Sequence, residues 1–261
     1  MGLTLYGSPM SRAIRNLWML KEIDAPYTHV DLAFGPEGTK SAAFLALNPR
    51  GGVPVLDDDG VVITESLAIN LYLAKKFGGA MAPRDVGEDG QMTSWSMWAA
   101  IADVQIYALL RTGLDLAGDE RTAAATPLIA ALRPKLAALE GVIAQHGFLV
   151  GGRFTVADLN VAGCLTYLRL NQDLLDDVPH VRAWYTAALA RPAALAAWAL
   201  REGRSGSKRP DFSQMACPLG HRGGRLTGCG WTGWRAWCGR DFRWNGASSG
   251  RASWLHLHQL N

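Results

Sequence analysis

Two short segments carry residue types from which a ligand site can be built. Gly51-Gly52-Val53-Pro54-Val55-Leu56 comes first, and Thr64-Glu65-Ser66-Leu67-Ala68-Ile69 follows a few residues on. A Val-Pro step is a poor start for a central strand, because proline brings no ladder donor. It suits a cis or otherwise turned peptide that leaves the N–H and C=O of Val53 free to pair with a guest. Glu65 and Ser66 stand where an apolar-periodic run begins, so orphan amides and a hydroxyl are expected there. Free extended backbone beside a helix N-terminus suits a small extended peptide with a carboxylate at one end. The plainer account of Glu65-Ser66 is a helix start with an acid in its first turn, which is common.

These residues need a scaffold, and the flanking periodicities predict one. Residues 3–6 read as a strand, after which Ser11 opens a helix over 12–22 with Ile14, Leu17, Trp18 and Leu20 at helical spacing. A second strand is expected over 27–32 and a short helical turn over 41–47. Residues 53–56 and 61–64 flank Asp57-Asp58-Asp59-Gly60, a good hairpin turn. A helix over 66–77 stops at Gly78-Gly79. Strand, helix, strand, helix, hairpin, helix is the order of a thioredoxin-like α/β domain. Residues 79–90 read as a linker. Helices are then expected at about 91–113, 121–146, 155–170, 178–190 and 192–200. Thr155-Val156-Ala157-Asp158 has capping-box spacing with Asp in place of Glu, which supports fold rather than chemistry.

Taken in order, several blocks resemble the glutathione transferases. They are Leu5-Tyr6-Gly7-Ser8-Pro9-Met10-Ser11-Arg12, Leu47-Asn48-Pro49-Arg50, Val53-Pro54-Val55-Leu56, Glu65-Ser66-Leu67-Ala68-Ile69-Asn70-Leu71-Tyr72-Leu73 and Phe154-Thr155-Val156-Ala157-Asp158-Leu159-Asn160-Val161-Ala162. The likeness covers roughly residues 2–200 and is nearest to the serine-type, theta-like bacterial cytosolic class. It implies a thioredoxin-like glutathione-binding domain at 1–78, a linker at 79–90 and an all-helical domain at 91–204. It also implies a cytoplasmic homodimer that joins glutathione, its co-substrate, to an apolar electrophile without a cofactor or metal. Glutathione-dependent isomerisation, dehalogenation or peroxide reduction, or a non-catalytic interaction module, are the alternatives.

The resemblance assigns roles. Glutathione's thiol is mostly protonated at neutral pH, and lowering its pKa by two units takes about 2.7 kcal/mol. One hydroxyl hydrogen bond and a nearby helix N-terminus supply energy of that order. Ser11 occupies the place of the activating hydroxyl, although it would serve equally as a helix N-cap. Tyr6 is the competitor, because other classes use a strand tyrosine. Ser8 and Arg12 are weaker candidates. Arg12 stands where cysteine-type classes carry their thiol, which disfavours mixed-disulfide chemistry. Ser66 suits the γ-glutamyl carboxylate and Glu65 the ammonium. Val53, turned by Pro54, suits the cysteinyl backbone. Lys40 suits the glycine carboxylate, or is a solvated surface lysine. Gly52 departs from the pattern, since many relatives carry Lys or Gln there, and Arg50 is the nearest substitute. Trp95, Trp98 and Tyr107 fall on the first helix of the second domain, as core or interface residues before substrate contacts.

Composition agrees with this frame. Nearly half of the 261 residues are apolar, enough for a core without staples. No apolar run spans a bilayer, since 187–200 is broken by Arg191-Pro192, and no basic start leads an apolar stretch as in a signal peptide. The net charge of +3 conceals a split. Residues 205–261 carry eight Lys/Arg and two acids, which leaves 18 basic and 21 acidic residues in 1–204. The body therefore offers no basic patch for nucleic acid. Its single cysteine, Cys164, reads as a small buried hydrophobe, as fits a reducing compartment. Residues 205–261 hold five of the ten Trp and ten of the 29 Gly without periodicity, and read as an unstructured extension, frameshifted or read through. There Cys217, His221, Cys229 and Cys238 lack a Cys-x-x-Cys pair, so zinc is not expected. The Trp/Arg mixture there is no stronger as a binder of single-stranded nucleic acid.

Overall fold

The computed structural model describes residues 2–205, so the expectations for the tail and its Cys, His and Trp residues lie outside the described residues. Four strands form one sheet in the order β2-β1-β3-β4: β1 Leu3–Tyr6, β2 Tyr27–Val30, β3 Val55–Asp58 and β4 Val61–Thr64. β1 runs parallel to β2 and antiparallel to β3, and β3 pairs antiparallel with β4. Alternation of the strand residues sends Leu3 and Leu5 into the core. Asp57 Oδ1 accepts from the Gly60 N–H at 2.8 Å, which closes the hairpin between β3 and β4. The helices of this region are α1 Ala13–Glu22, α2 Ala42–Leu47 and α3 Ser66–Phe77.

α1 is buried from Ala13 through Leu20, because it packs against α3 and against helices of the second region as well. That region consists of α4 Val86–Asp115, α5 Gly118–His146, α6 Val156–Leu165, α7 Pro179–Leu189 and α8 Pro192–Ser205. None of the described helices is long and apolar enough to cross a membrane.

Several elements differ from their sequence-based bounds, three of them with a visible local cause. The ladder of β3 begins at Val55, after the Val53–Pro54 peptide, which is cis. α4 begins at Val86, inside the stretch read as a linker, because Asp85 accepts from the Glu88 N–H at 2.8 Å and caps it. The helix expected over 155–170 stops at Leu165 and tightens into 3-10 turns over Thr166–Leu170 and Gln172–Leu175. There the Thr166 hydroxyl donates to the Gly163 carbonyl at 2.7 Å, a local bond that competes with helix continuation.

The capping box at α6 is complete and does more than cap. Asp158 Oδ2 accepts from the Thr155 N–H at 2.9 Å and from its hydroxyl at 3.0 Å. Asp158 Oδ1 accepts from the Leu149 N–H and from the Trp184 indole, each at 3.1 Å. One fully buried carboxylate thus joins the 147–155 loop, α6 and α7.

Candidate functional site

One rung of the sheet organises the site. Tyr6 of β1 faces Val55 of β3, and Val55 faces Thr64 of β4. The segments that follow Tyr6, precede Val55 and follow Thr64 therefore emerge at the same end of the sheet. They are Gly7–Ser11, Val53-Pro54 and Glu65-Ser66. Gly7 permits the close approach: at φ +144, a Cβ there would lie 2.9 Å from the Ala13 Cβ and 3.3 Å from the Val53 Cβ. Its carbonyl is held by His29 Nε2 at 2.8 Å.

Ser11 sits on a turn just ahead of α1, with Arg12 rather than Ser11 at the N-cap position. Its hydroxyl donates to the Ser8 carbonyl at 2.7 Å and accepts from the Ala13 N–H at 3.1 Å. The Ala13 amide polarises the hydroxyl as a donor. Ser8 is buried and shapes the turn by accepting from the Met10 N–H at 3.2 Å. Tyr6 shares the rung, but its ring rests against Phe44 with centroids 6.1 Å apart.

Among the described residues, no backbone hydrogen bond engages Val53. The loop before it is fixed by Asn48, which is buried. Asn48 Nδ2 donates to the Gly52 carbonyl at 2.8 Å and Asn48 Oδ1 accepts from the Arg50 N–H at 3.3 Å. Lys40 Nζ donates to the Arg50 carbonyl at 3.4 Å, which brings Lys40 to this loop.

Glu65 has φ +70 and ψ +117, a backbone region that costs a non-glycine residue about 1–3 kcal/mol and that clusters at ligand sites. It turns β4 directly into α3 and leaves its side chain exposed. Arg50 Nη2 lies 2.8 Å from Thr64 Oγ1 and 3.3 Å from Glu65 Oε1. Ser66 opens α3 with its first-turn amide, and its buried Oγ accepts from Arg15 Nη1 at 3.4 Å.

No sequence motif singles out Arg15 and Asp103. Arg15 is buried, donates to Asp103 Oδ1 at 2.5 Å and to the Gly163 carbonyl at 3.3 Å, and lies 5.1 Å from the Tyr167 ring centroid. Arg12 Nε takes the other Asp103 oxygen at 2.9 Å. A chain of buried amides runs beside them. Asn16 Nδ2 donates to the Ser66 carbonyl at 2.8 Å and to Asn70 Oδ1 at 2.7 Å. Asn70 Nδ2 donates to Asn160 Oδ1 at 2.9 Å, and Asn160 Nδ2 to Ser96 Oγ at 2.9 Å. The start of α3 is thereby tied to α1, α4 and α6. Polar residues at buried helical positions were the only available signal.

Trp95 and Trp98 pack edge to face at 5.6 Å against the core, and Tyr107 meets Tyr167 at 5.4 Å. Burial pushes the Cys164 thiol up to about 12, so it is not a nucleophile at neutral pH. Among the described residues, no three His, Cys, Asp or Glu side chains cluster as metal ligands.

Comparison with known proteins gives one answer. Residues 1–75 match the family model described as glutathione S-transferase, N-terminal domain, and residues 101–187 match glutathione S-transferase, C-terminal domain. Glutathione S-transferase 3 of Zea mays is 33% identical over 208 residues, covering 73% of this chain and 90% of that protein. A glutathione S-transferase of Hyoscyamus muticus is 29% identical, covering 74% and 96%. The solved structure of maize glutathione S-transferase I with an atrazine glutathione conjugate superposes with TM-score 0.69 at 26% identity, covering 77% of this chain and 99% of that one.

Proposed function

The chain belongs to the glutathione S-transferase family, and on that premise we propose a serine-type site in which Ser11 stabilises the glutathione thiolate. The rung Tyr6–Val55–Thr64 carries this reading, because it brings the Ser11 turn, Val53-Pro54 and Glu65-Ser66 to one end of the sheet. Val53 pairs with the cysteinyl backbone through its free N–H and C=O, with Pro54 shaping the turn. Ser66 Oγ and its amide take the γ-glutamyl carboxylate at the N-terminus of α3. Glu65 takes the ammonium in place of Arg50, and Lys40 reaches the glycine carboxylate. The Ser11 hydroxyl has one hydrogen to donate. Turning it from the Ser8 carbonyl to the sulfur exchanges a neutral bond for a charge-assisted one, roughly twice as strong.

The reaction is glutathione transfer. The thiolate sulfur forms a bond to an electrophilic carbon, and the leaving group departs with the bonding pair. The maize neighbour that holds an atrazine conjugate supports this class of reaction for the present chain. Tyr6 ranks behind Ser11, because its ring packs on Phe44. The class is theta-like and cytoplasmic, with functional units at 1–78 and 91–204. The electrophile is apolar. The partner of α4 is a second copy of this chain, since Met97, Ile101 and Val104 stand exposed at i, i+4, i+7 on one face.

Titration calorimetry of the full chain with glutathione tests the assignment. Ser66→Ala and Glu65→Gln should each weaken binding about tenfold, the cost of one hydrogen bond to a charged group. Unchanged affinity in both variants would remove the start of α3 from the site.

A further inference from the structure

Arg12 follows Ser11 directly and is held from three sides. Its Nε donates to Asp103 Oδ2 at 2.9 Å. Its guanidinium carbon lies 4.8 Å from the Tyr107 ring centroid and 5.7 Å from that of Tyr167. The two rings are themselves 5.4 Å apart. A long cation is usually mobile, but this one has been placed.

The charges around it do not cancel. One carboxylate, Asp103, serves two guanidinium groups, Arg15 and Arg12. Arg15 is buried, whereas the Arg12 side chain remains 38% exposed. The surplus positive charge of the cluster is therefore expressed at the outer edge of Arg12. Among the described residues, only Nε of Arg12 has a hydrogen-bond acceptor, so its two Nη groups keep their four N–H donors. The surfaces nearby are apolar or aromatic: Met10, on the other side of Ser11, and Tyr107 are both exposed.

Arg12 thus presents a fixed cation with a free planar fork beside an aromatic face, one residue after Ser11. We propose that Arg12 orients an aromatic electrophile by binding an oxygen-bearing, electron-withdrawing substituent, a nitro group, with Tyr107 supporting the ring. This rests on the reading of Ser11 as the residue that positions the thiolate. The guanidinium fork matches two coplanar oxygens, and the exposed ring edge suits an arene. With a chloronitroarene, the sulfur adds to the carbon that bears chlorine and the electron pair moves onto the nitro oxygens at the Arg12 fork. Return of that pair breaks the C–Cl bond and chloride leaves, so glutathione thiolate and aryl chloride become thioether and chloride. The fork donates most strongly when those oxygens carry most charge, which is the condition for rate enhancement.

The test uses the full chain, its Arg12→Gln variant and two probes, 1-chloro-2,4-dinitrobenzene and benzyl chloride. Benzyl chloride offers the same sulfur a carbon without an oxygen acceptor. The ratio of kcat/KM on the nitroarene to that on benzyl chloride should fall by about tenfold to a hundredfold in Arg12→Gln, as for a lost charge-assisted hydrogen bond. The pKa of the bound glutathione thiol, read by ultraviolet difference, applies to both probes alike and so cancels from this ratio. Arg12→Lys keeps a cation opposite Asp103 without the fork, should lose part of the same ratio, and stands in if the Gln variant unfolds. An unchanged ratio, or a proportional loss on both probes with a raised thiol pKa, would overturn the proposal. Absence of a depressed thiol pKa in the unaltered chain would instead overturn the reading of Ser11, and this proposal with it.

Discussion

Arg15 of α1 and Asp103 of α4 meet at 2.5 Å between Nη2 and Oδ1, with both side chains almost out of solvent. The pair joins the helix that follows Ser11 to the first long helix beyond the sheet. Buried ion pairs are a weak source of net stability, but removing one partner leaves the other charged and unpaired. Asp103→Ala should therefore cost about 3–5 kcal/mol in urea unfolding. The double variant Arg15→Met/Asp103→Leu should cost less than the single one. Equal costs would show that packing rather than charge holds this junction.

Asp158 makes a stronger demand. Its carboxylate satisfies two donors at Thr155, the Leu149 amide and the Trp184 indole. Loss of a cap costs about 0.5–2 kcal/mol, and each buried donor left unsatisfied about 1–3 kcal/mol. Asp158→Ala should lower stability by about 3 kcal/mol or more, measured by denaturant midpoint. A change close to zero would mean that the box is ornamental.

Glu88 sets part of the acid limit. Its carboxyl is lowered to about 2, first by the Arg153 guanidinium, then by the Arg84 amide. Arg153 also donates to the Ala80 and Ala82 carbonyls at 3.2 and 2.7 Å, so this pair pins the connection between α3 and α4. A folded pKa below the ordinary 4.5 means stability fully present above that value and lost as pH falls toward about 2. Glu88→Gln should flatten the stability profile in that window and leave the slope above pH 5 as it was. Superimposable profiles would contradict the assignment.

Strain at Glu65 separates stability from binding. Its φ of +70 is one that glycine adopts freely. Glu65→Gly should raise stability by about 1 kcal/mol while weakening glutathione binding. Thermal unfolding together with calorimetry reads both, and a destabilised variant would show that Glu65 is not strained.

Much of this molecule was legible because its signals are local. Leu3 and Leu5 alternate into the core, Asp57 to Gly60 make a turn, and Thr155 to Asp158 make a box, each within a few residues of chain. The start of α4 was hidden by Gly87 and Gly90, which weaken the helical pattern, although Asp85 and Glu88 are the cap spacing that marks it. The break after Leu165 depends on one hydroxyl turning to a carbonyl, which no periodicity reports. The candidate site divides in the same way. Ser11, Val53, Glu65 and Ser66 stand in short motifs that advertise free backbone and a helix end. Arg15, Asp103, Asn70 and Asn160 acquire their meaning only when α1, α3, α4 and α6 pack together. On paper, Arg15 resembles any surface arginine.

The assignment left to test is that the Ser11 hydroxyl holds the glutathione sulfur as a thiolate. It is tested most directly by ultraviolet difference titration of glutathione bound to the full chain and to its Ser11→Ala variant. The thiol pKa should lie about two units below that of free glutathione in the unaltered protein, worth about 2.7 kcal/mol, and return toward the free value in the variant. Bound glutathione with an unshifted thiol, or the same depressed value in both proteins, would contradict it and move the role to Tyr6 or to no residue at all.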